Sequence, residues 1–167
     1  ARDTLAVQVG GASGQCLAES GFNRKLCYSD LATGGSIIIF NKSRDIFSIV
    51  RNFLDFFIEE SCGWCTPCRA GNVLLKKKFE KIVSGLGTAQ DLAEIESWGK
   101  LIKSTSRCGL GQTSPNPILT SLTNFRELYE RKINKETDFV SEFDLKRAVE
   151  EACEVTGRKF QEERQDA

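Results

Sequence analysis

The sequence predicts an α+β fold that is mainly helical, in which a short β-rich region precedes a four-helix bundle. Up to about residue 40, runs rich in β-branched residues alternate with glycine clusters, as in LAVQV, GGASG and SIIIF, a pattern typical of strands and tight turns. Beyond Arg44, apolar residues recur at helical spacing in four segments joined by short loops, which favours a bundle. We expect boundaries at 1–42 for the β-rich segment, 43–135 for the bundle and 136–167 for a C-terminal tail.

The composition excludes several classes of function. Of the 167 residues, 40% are hydrophobic and 28% charged, as in soluble globular proteins, and no apolar run approaches the length of a membrane span. The 23 basic residues balance the 23 acidic ones, so the chain has no overall field that would attract nucleic acid or an anionic membrane. The absence of methionine and the strand-like opening ARDTLAVQV lead us to expect a fragment of a longer protein.

In chain order, the first elements are strands at Leu5–Val9 and Ser36–Phe40. The glycines of GGASG, which begin at Gly10, do not have the G-x-G-x-x-G spacing of a phosphate loop, so a β-turn is favoured. Helices are then predicted from Arg44, from the cap Thr66 with Pro67, from Thr88 or Asp91, from the cap Asn116 with Pro117, and over Glu142–Thr156 in the tail.

The cysteines carry the clearest chemical signal. Cys62, Cys65 and Cys68 are separated by two residues each, a spacing that lets three thiolates bind one face of a cubane iron–sulfur cluster. Cys108 is the best candidate for a fourth ligand, because it follows the third helix and an up-and-down pair of helices returns the chain to the same end. Zinc also accepts four thiolates, so a zinc-stapled structural interaction domain is the alternative from a different class. The odd total of seven cysteines argues against a disulfide framework and indicates a reducing, cytoplasmic setting.

Other residues near the motif have simpler expectations. Cys68 would lie in the first turn of a helix, where the helix dipole and the neighbouring Arg69 favour a thiolate. Trp64 could shield a cluster from water. We expect the other cysteines to be small buried hydrophobes: Cys16, Cys27 and Cys153. We expect the lysines of the second helix to form a solvated face: Lys76, Lys77, Lys78 and Lys81.

Taken together, these motifs resemble a known family. ESCGWCTPCRAG, followed by RCGLG and a helix-opening proline, is similar to the C-terminal half of the NADH-binding flavoprotein (51 kDa-type) subunit of respiratory complex I, NAD-reducing hydrogenases and NAD-dependent formate dehydrogenases. VQVGGASGQCL and LATGGSIIIF resemble its ubiquitin-like β-grasp segment. The resemblance covers Leu5 to Tyr129. RCGLGQTSPNPILTSL and the tail look most like the diaphorase alpha subunit of the hydrogenases or the formate dehydrogenase beta subunit.

The resemblance implies an electron-transfer module. Cys62, Cys65, Cys68 and Cys108 would bind a [4Fe–4S] cluster, while Gly109 and Leu110 would correspond to the backbone that approaches FMN. The complete subunit would hold FMN and NAD(H) and transfer electrons between the flavin and partner iron–sulfur clusters in a multisubunit NAD-reducing hydrogenase, with NAD-dependent formate dehydrogenase or NADH:quinone oxidoreductase as alternatives. The Rossmann-like part of the family is absent from these residues, so we expect no catalysis by this chain alone. The implied partners are iron–sulfur subunits and the FMN/NADH-binding part, without nucleic acid or membrane insertion.

Overall fold

A computed structural model describes residues 3–134, together with Cys153 and Gly157. It confirms the α+β class, with a small sheet packed on a helical bundle. The strands are β1 (Thr4–Val9), β2 (Gln15–Leu17) and β3 (Ile37–Asn41), and the α-helices are α1 (Ile46–Glu59), α2 (Thr66–Val83), α3 (Ala89–Thr105), α4 (Gly109–Thr113), α5 (Asn116–Asn124) and α6 (Arg126–Glu130).

The sheet is antiparallel, with β1 between β2 and β3. Val7 of β1 pairs with Leu17 on one side and with Ile39 on the other. The predicted glycine turn is confirmed: Gly10 has a φ of +90° and is followed by a single 3₁₀ turn over Gly11–Ser13. Gly10 can take this left-handed conformation because it has no Cβ.

Local capping chemistry sets the starts of the long helices. The Asp45 side chain accepts a hydrogen bond from the backbone N–H of Ser48 at 2.9 Å and so caps α1. Thr88 and Asp91 form a reciprocal capping box at the start of α3. Helix α2 begins at Thr66, with Cys65 rather than Thr66 as its cap, so its predicted start was wrong by one residue and Cys68 still falls in the first turn.

The predicted fourth helix is divided. Phe125 leaves the helical conformation, at φ −126° and ψ +32°, which separates α5 from α6. The break lets the ring of Tyr129 pack edge-on against Phe47, with centroids 5.1 Å apart, and lets its hydroxyl meet Ser121 Oγ at 2.6 Å. Asn116 does not cap α5 as predicted, because its amide instead donates a hydrogen bond to the carbonyl of Ser13 at 2.7 Å.

The sheet and the helices share one hydrophobic core. Ala6 and Cys16 from the sheet belong to the same buried cluster as the aromatic and aliphatic residues of the helices. Polar contacts fix β2 on α5: the Cys16 N–H donates to Thr120 Oγ1 at 2.9 Å, and Asn124 Nδ2 donates to the Cys16 carbonyl at 2.7 Å. The position of the sheet therefore depends on α5, the helix that follows the Cys108 segment.

Two further expectations concern membrane spans and a helix in the C-terminal tail. No helix in the described part of the chain is both long and apolar enough to cross a membrane. The predicted tail helix over Glu142–Thr156 lies outside the described residues except for Cys153, which is helical and half-buried.

Candidate metal centre

The loop before α2 places three cysteines around the start of that helix. Cys62 and Cys65 lie in the loop, Cys65 is the cap residue, and Cys68 is the third residue of α2. Gly63 has a φ of +73°, a left-handed conformation that turns the chain between the first two cysteines. Arg69 Nη1 donates a hydrogen bond to the Gly63 carbonyl at 2.9 Å, so the loop is held against the first turn of α2.

The chain returns to the same place at Cys108. Helix α3 ends at Thr105, Ser106 is its C-cap, and Cys108 is the residue that precedes α4. The backbone N–H of Arg107 lies near enough to the Cys65 thiol to lower its pKa. A Cβ built on Gly111 would lie 3.1 Å from Cys68 Cβ. The structure therefore brings the segment that carries Cys108 beside Cys65 and Cys68, as the up-and-down packing of α2 and α3 predicted.

Backbone N–H groups lower the pKa of the Cys65 thiol. Hydrogen bonds from the backbone N–H of Arg107, and then from that of Cys68, lower the pKa of Cys65 below its ordinary value, against the opposing effect of partial desolvation. Hydrogen bonds to the charged form favour that form, so Cys65 has an increased tendency to be a thiolate. Because the thiolate is the metal ligand, this thiol is prepared for metal binding.

Cys68 lies in a polar but buried environment. It is 5% exposed, Ser61 Oγ lies 3.3 Å from its Sγ, and Asn72 Nδ2 donates to the same sulfur at 3.5 Å. The Asn72 carbonyl oxygen in turn accepts a hydrogen bond from Ser114 Oγ at 2.7 Å. Sequence reasoning missed Ser61, Asn72 and Ser114. The signal that could have found Asn72 is its place one helical turn after a cysteine.

Features of this end of the bundle fit a sulfur-rich metal group. Ser106 is 5% exposed and its Oγ has no hydrogen-bond partner within the described ranges, although it lies beside the site next to Gly111. Gly111 allows a close approach of α4 to this end of the bundle, since a Cβ at its position would lie only 2.7 Å from Ser106 Cβ. Unbridged thiols, backbone donors and a buried hydroxyl without an acceptor are the donor set that sulfide-rich clusters use. Within the part of the chain that the structure describes, no three His, Cys, Asp or Glu side chains converge as a site for a single metal ion.

The other predicted residues have mixed outcomes. Cys16 is buried as expected, and desolvation raises the pKa of its thiol to about 12. The prediction for Cys27 was wrong, because this residue lies in an irregular segment between β2 and β3 and is exposed. Cys153 is half-buried. Trp64 is 78% exposed, so within the described residues its side chain is not packed over the cysteines as a shield from water. Gly109 is exposed and Leu110 half-buried, both in α4.

The lysine face of α2 was also predicted wrongly. Lys77 is exposed, but Lys78 and Lys81 form ion pairs with the buried carboxylate of Asp91 at 2.5 and 2.9 Å. Asp91 is 2% exposed because the capping box of α3 turns it toward α2. A buried carboxylate is stable only when it is paired, so these lysines connect α2 to α3 instead of forming a solvated surface.

Comparison with known proteins places this arrangement among redox proteins that bind iron–sulfur clusters. Residues 48–132 match the family described as the NADH-ubiquinone oxidoreductase-F iron-sulfur binding region. The match includes all but the first two residues of α1, all of α2 to α6, and Cys62, Cys65, Cys68 and Cys108. The chain belongs to this family.

Individual relatives agree with the family assignment. The chain is 50% identical over 152 residues to the NAD-reducing hydrogenase HoxS subunit alpha of Cupriavidus necator, covering 89% of this chain and 25% of that protein. It is 38% identical to the NADP-reducing hydrogenase subunit HndC of Solidesulfovibrio fructosivorans, covering 77% of this chain and 28% of that protein. The crystal structure of an NAD⁺-reducing [NiFe]-hydrogenase in the H₂-reduced state matches with a TM-score of 0.77 and 35% identity, over 95% of this chain and 28% of that one. The chain thus spans about a quarter of the length of these relatives.

Proposed function

We propose that this chain is the iron–sulfur electron-transfer region of an FMN-dependent NAD(H) oxidoreductase subunit, in a cytoplasmic NAD-reducing hydrogenase. The observation that carries the proposal is the close approach of Gly111 to Cys68, where a Cβ on Gly111 would lie 3.1 Å from Cys68 Cβ. It brings together two cysteine-bearing segments that are about 40 residues apart in sequence. The 50% identity to a hydrogenase diaphorase subunit supports the type of enzyme.

In this proposal Cys62, Cys65, Cys68 and Cys108 bind one [4Fe–4S] cluster. Such a cluster supplies one-electron transfer, which complements the two-electron hydride chemistry of a flavin and a nicotinamide. Gly109 and Leu110, which directly follow Cys108, form the part of the surface assigned to the FMN side. The open surface at Gly109, where a built Cβ would meet nothing within 4 Å, is compatible with close approach by another group.

The residues of the chain have three tasks in this function. The N–H groups of Arg107 and Cys68 stabilise negative charge on Cys65. Arg69 holds the Gly63 turn and places a guanidinium beside the loop. The close fit of Gly111 against Cys68 and Ser106 keeps α4 next to the start of α2. Partner iron–sulfur subunits and the FMN/NADH-binding part would complete the electron pathway.

The ligand set is tested in the complete protein, purified anaerobically. We expect broad visible absorption and, after reduction, a paramagnetic signal from a [4Fe–4S]⁺ centre. Replacement by serine of Cys62, Cys65, Cys68 or Cys108 is expected to abolish or strongly alter both, whereas Cys27→Ser is the matched control at an exposed cysteine and is expected to keep them. Stoichiometric zinc without visible absorption would overturn the proposal in favour of a structural zinc domain. A Cys108→Ser protein with an unaltered spectrum would overturn the choice of fourth ligand.

The type of enzyme requires a second measurement. Subunits that copurify with the native complex are identified by mass spectrometry, and its reduction of NAD⁺ is measured with H₂ and with formate as electron donors. We expect hydrogenase subunits and H₂-dependent reduction. Formate-dependent reduction, or NADH oxidation that requires a quinone, would assign the same electron-transfer region to one of the alternative enzymes.

A further inference from the structure

A buried amide connects the two segments that carry the candidate ligands. Asn72 is 1% exposed and lies one turn after Cys68 on α2. Its Nδ2 donates to Cys68 Sγ at 3.5 Å, and its Oδ1 accepts from Ser114 Oγ at 2.7 Å. Ser114 is fully buried and terminates α4, the helix that begins directly after Cys108. The chain Cys68–Asn72–Ser114 therefore runs from one cysteine segment to the other.

The chemistry of the partners fixes the orientation of this amide. A thiolate at Cys68 can only accept hydrogen bonds, so the NH₂ group of Asn72 must face the sulfur and its oxygen must face a donor. Ser114 supplies that donor. Its hydroxyl also lies 3.1 Å from the carbonyl of Gly111, which keeps it within α4. If Ser114 were absent, the buried amide oxygen of Asn72 would lose its partner, a state that native proteins avoid.

The location of Asn72 also argues for a specific role. Asparagine is a weak helix former, and its amide is costly to bury in the interior of a bundle. The positions around it on the buried face of α2, Leu75 and Phe79, are fully buried and apolar. An apolar residue would serve packing at this position as well, so the amide is explained by the sulfur that it contacts.

We infer that Asn72 is a positioning residue that raises the reduction potential of the iron–sulfur centre by donating a hydrogen bond to Cys68, and that Ser114 holds its amide in the donating orientation. Hydrogen bonds to cluster sulfurs stabilise the reduced, more negatively charged state. The inference rests on the proposed function and extends it, because it assigns the control of potential to residues that are not ligands.

The test is a potentiometric titration of the complete, anaerobically purified protein, followed by the paramagnetic signal of the reduced centre. Asn72→Leu keeps the approximate volume but removes the donor. We expect a lower midpoint potential, with the ratio of reduced to oxidised centre at fixed ambient potential falling by up to about tenfold, which is about 59 mV for a one-electron couple. Ser114→Ala leaves the donor but removes its support, and a smaller shift in the same direction is expected.

Ser121→Ala is the matched control for loss of a buried hydroxyl. Ser121 is fully buried like Ser114, but it bonds Tyr129 and the carbonyl of Ile118 instead of the cysteine network. We expect Ser121→Ala to lower thermal stability without changing the midpoint potential. An unchanged potential in both Asn72→Leu and Ser114→Ala, with a normal paramagnetic signal, would overturn the inference while leaving the proposed function intact. If the wild-type protein gave no such signal, the proposed function itself would fail. If Asn72→Leu lost the centre altogether, a lowered midpoint potential in Ser114→Ala would support the inference and an unchanged one would overturn it.

Discussion

Gly111→Ala is expected to disrupt the cysteine centre through a single methyl group. Gly111 is a buried residue of α4. A Cβ at this position would lie 2.7 Å from Ser106 Cβ and 3.1 Å from Cys68 Cβ. Ser106 Oγ would also lie 2.7 Å away and could rotate, but the two Cβ atoms move only with their backbones, so side-chain rotation cannot relieve the contact.

The size of the effect follows from these distances. The closer contact is about 0.8 Å shorter than an ordinary carbon–carbon contact of about 3.5 Å. Overpacking of this kind costs about 1–3 kcal/mol, and the better helix propensity of alanine returns at most about 1 kcal/mol. With the full return from alanine, the net loss is up to about 2 kcal/mol. The backbone shift should separate α4 from the start of α2 and reduce the amount of bound iron.

The assay compares Gly111→Ala with wild-type protein and with Gly99→Ala. In Gly99→Ala the new Cβ would approach the side chain of Leu119, 2.8 Å from its Cδ2, away from the cysteines. Iron and acid-labile sulfide per chain are measured, and visible absorption is followed during heating. Gly111→Ala should lose iron and bleach at a lower temperature, whereas Gly99→Ala should keep its iron. Full iron content and unchanged bleaching in Gly111→Ala, or equal iron loss in both variants, would refute the reasoning.

Three further predictions concern stability and thiol reactivity. Although burial opposes it, hydrogen bonds from Lys78, Lys81 and the Thr88 N–H lower the pKa of Asp91 to about 2. Ionised Asp91 therefore stabilises the fold by about 2 kcal/mol at pH values above about 4, and this contribution is lost as the pH falls toward 2. Urea midpoints of Asp91→Asn should accordingly vary less than those of wild type over this range. Tyr129→Phe, which removes the contact with Ser121, should cost about 1 kcal/mol in urea unfolding, and the double variant Tyr129→Phe/Ser121→Ala should cost less than the sum of the two single changes. In native protein treated with iodoacetamide, mass spectrometry should find Cys27 modified well before Cys16. Cys27 is exposed and the Ser29 hydroxyl lowers its pKa, whereas burial raises the pKa of Cys16 to about 12. Equal rates of modification would contradict this prediction.

The sequence allowed prediction of the features that depend on local pattern. Helical periodicity identified α1, α2 and α3, and the spacing of Cys62, Cys65 and Cys68 identified the loop at the start of α2. The antiparallel path of α2 and α3 also led us to expect that the Cys108 segment returns to that loop, and the 3.1 Å approach of a Gly111 Cβ to Cys68 Cβ is in line with it. The helices could be predicted because their pattern depends on residues close in sequence, whereas the set of four ligands stays a prediction.

The failures concern residues whose environment is set by distant parts of the chain. The break at Phe125 accompanies the packing of Tyr129 against Phe47 from α1. The ion pairs of Lys78 and Lys81 depend on Asp91, which is contributed by another helix. In the same way, the contact of Asn72 with Ser114 spans 42 residues. No local pattern specifies these contacts, since they form only once the helices have docked.

The same long-range contacts explain how a small helical region could hold a redox centre at a defined potential. The candidate ligands come from two segments, and three separate contacts link those segments: the Arg107 N–H with Cys65, Gly111 with Cys68, and Ser114 with Asn72. Each joins a residue of the 107–114 stretch to the start of α2, so a movement of α4 would change sulfur position and hydrogen bonding together. Rigid support of this kind is what a metal site requires from the residues around its ligands. We therefore expect the packing of α4 to influence both whether the centre forms and how readily it accepts an electron.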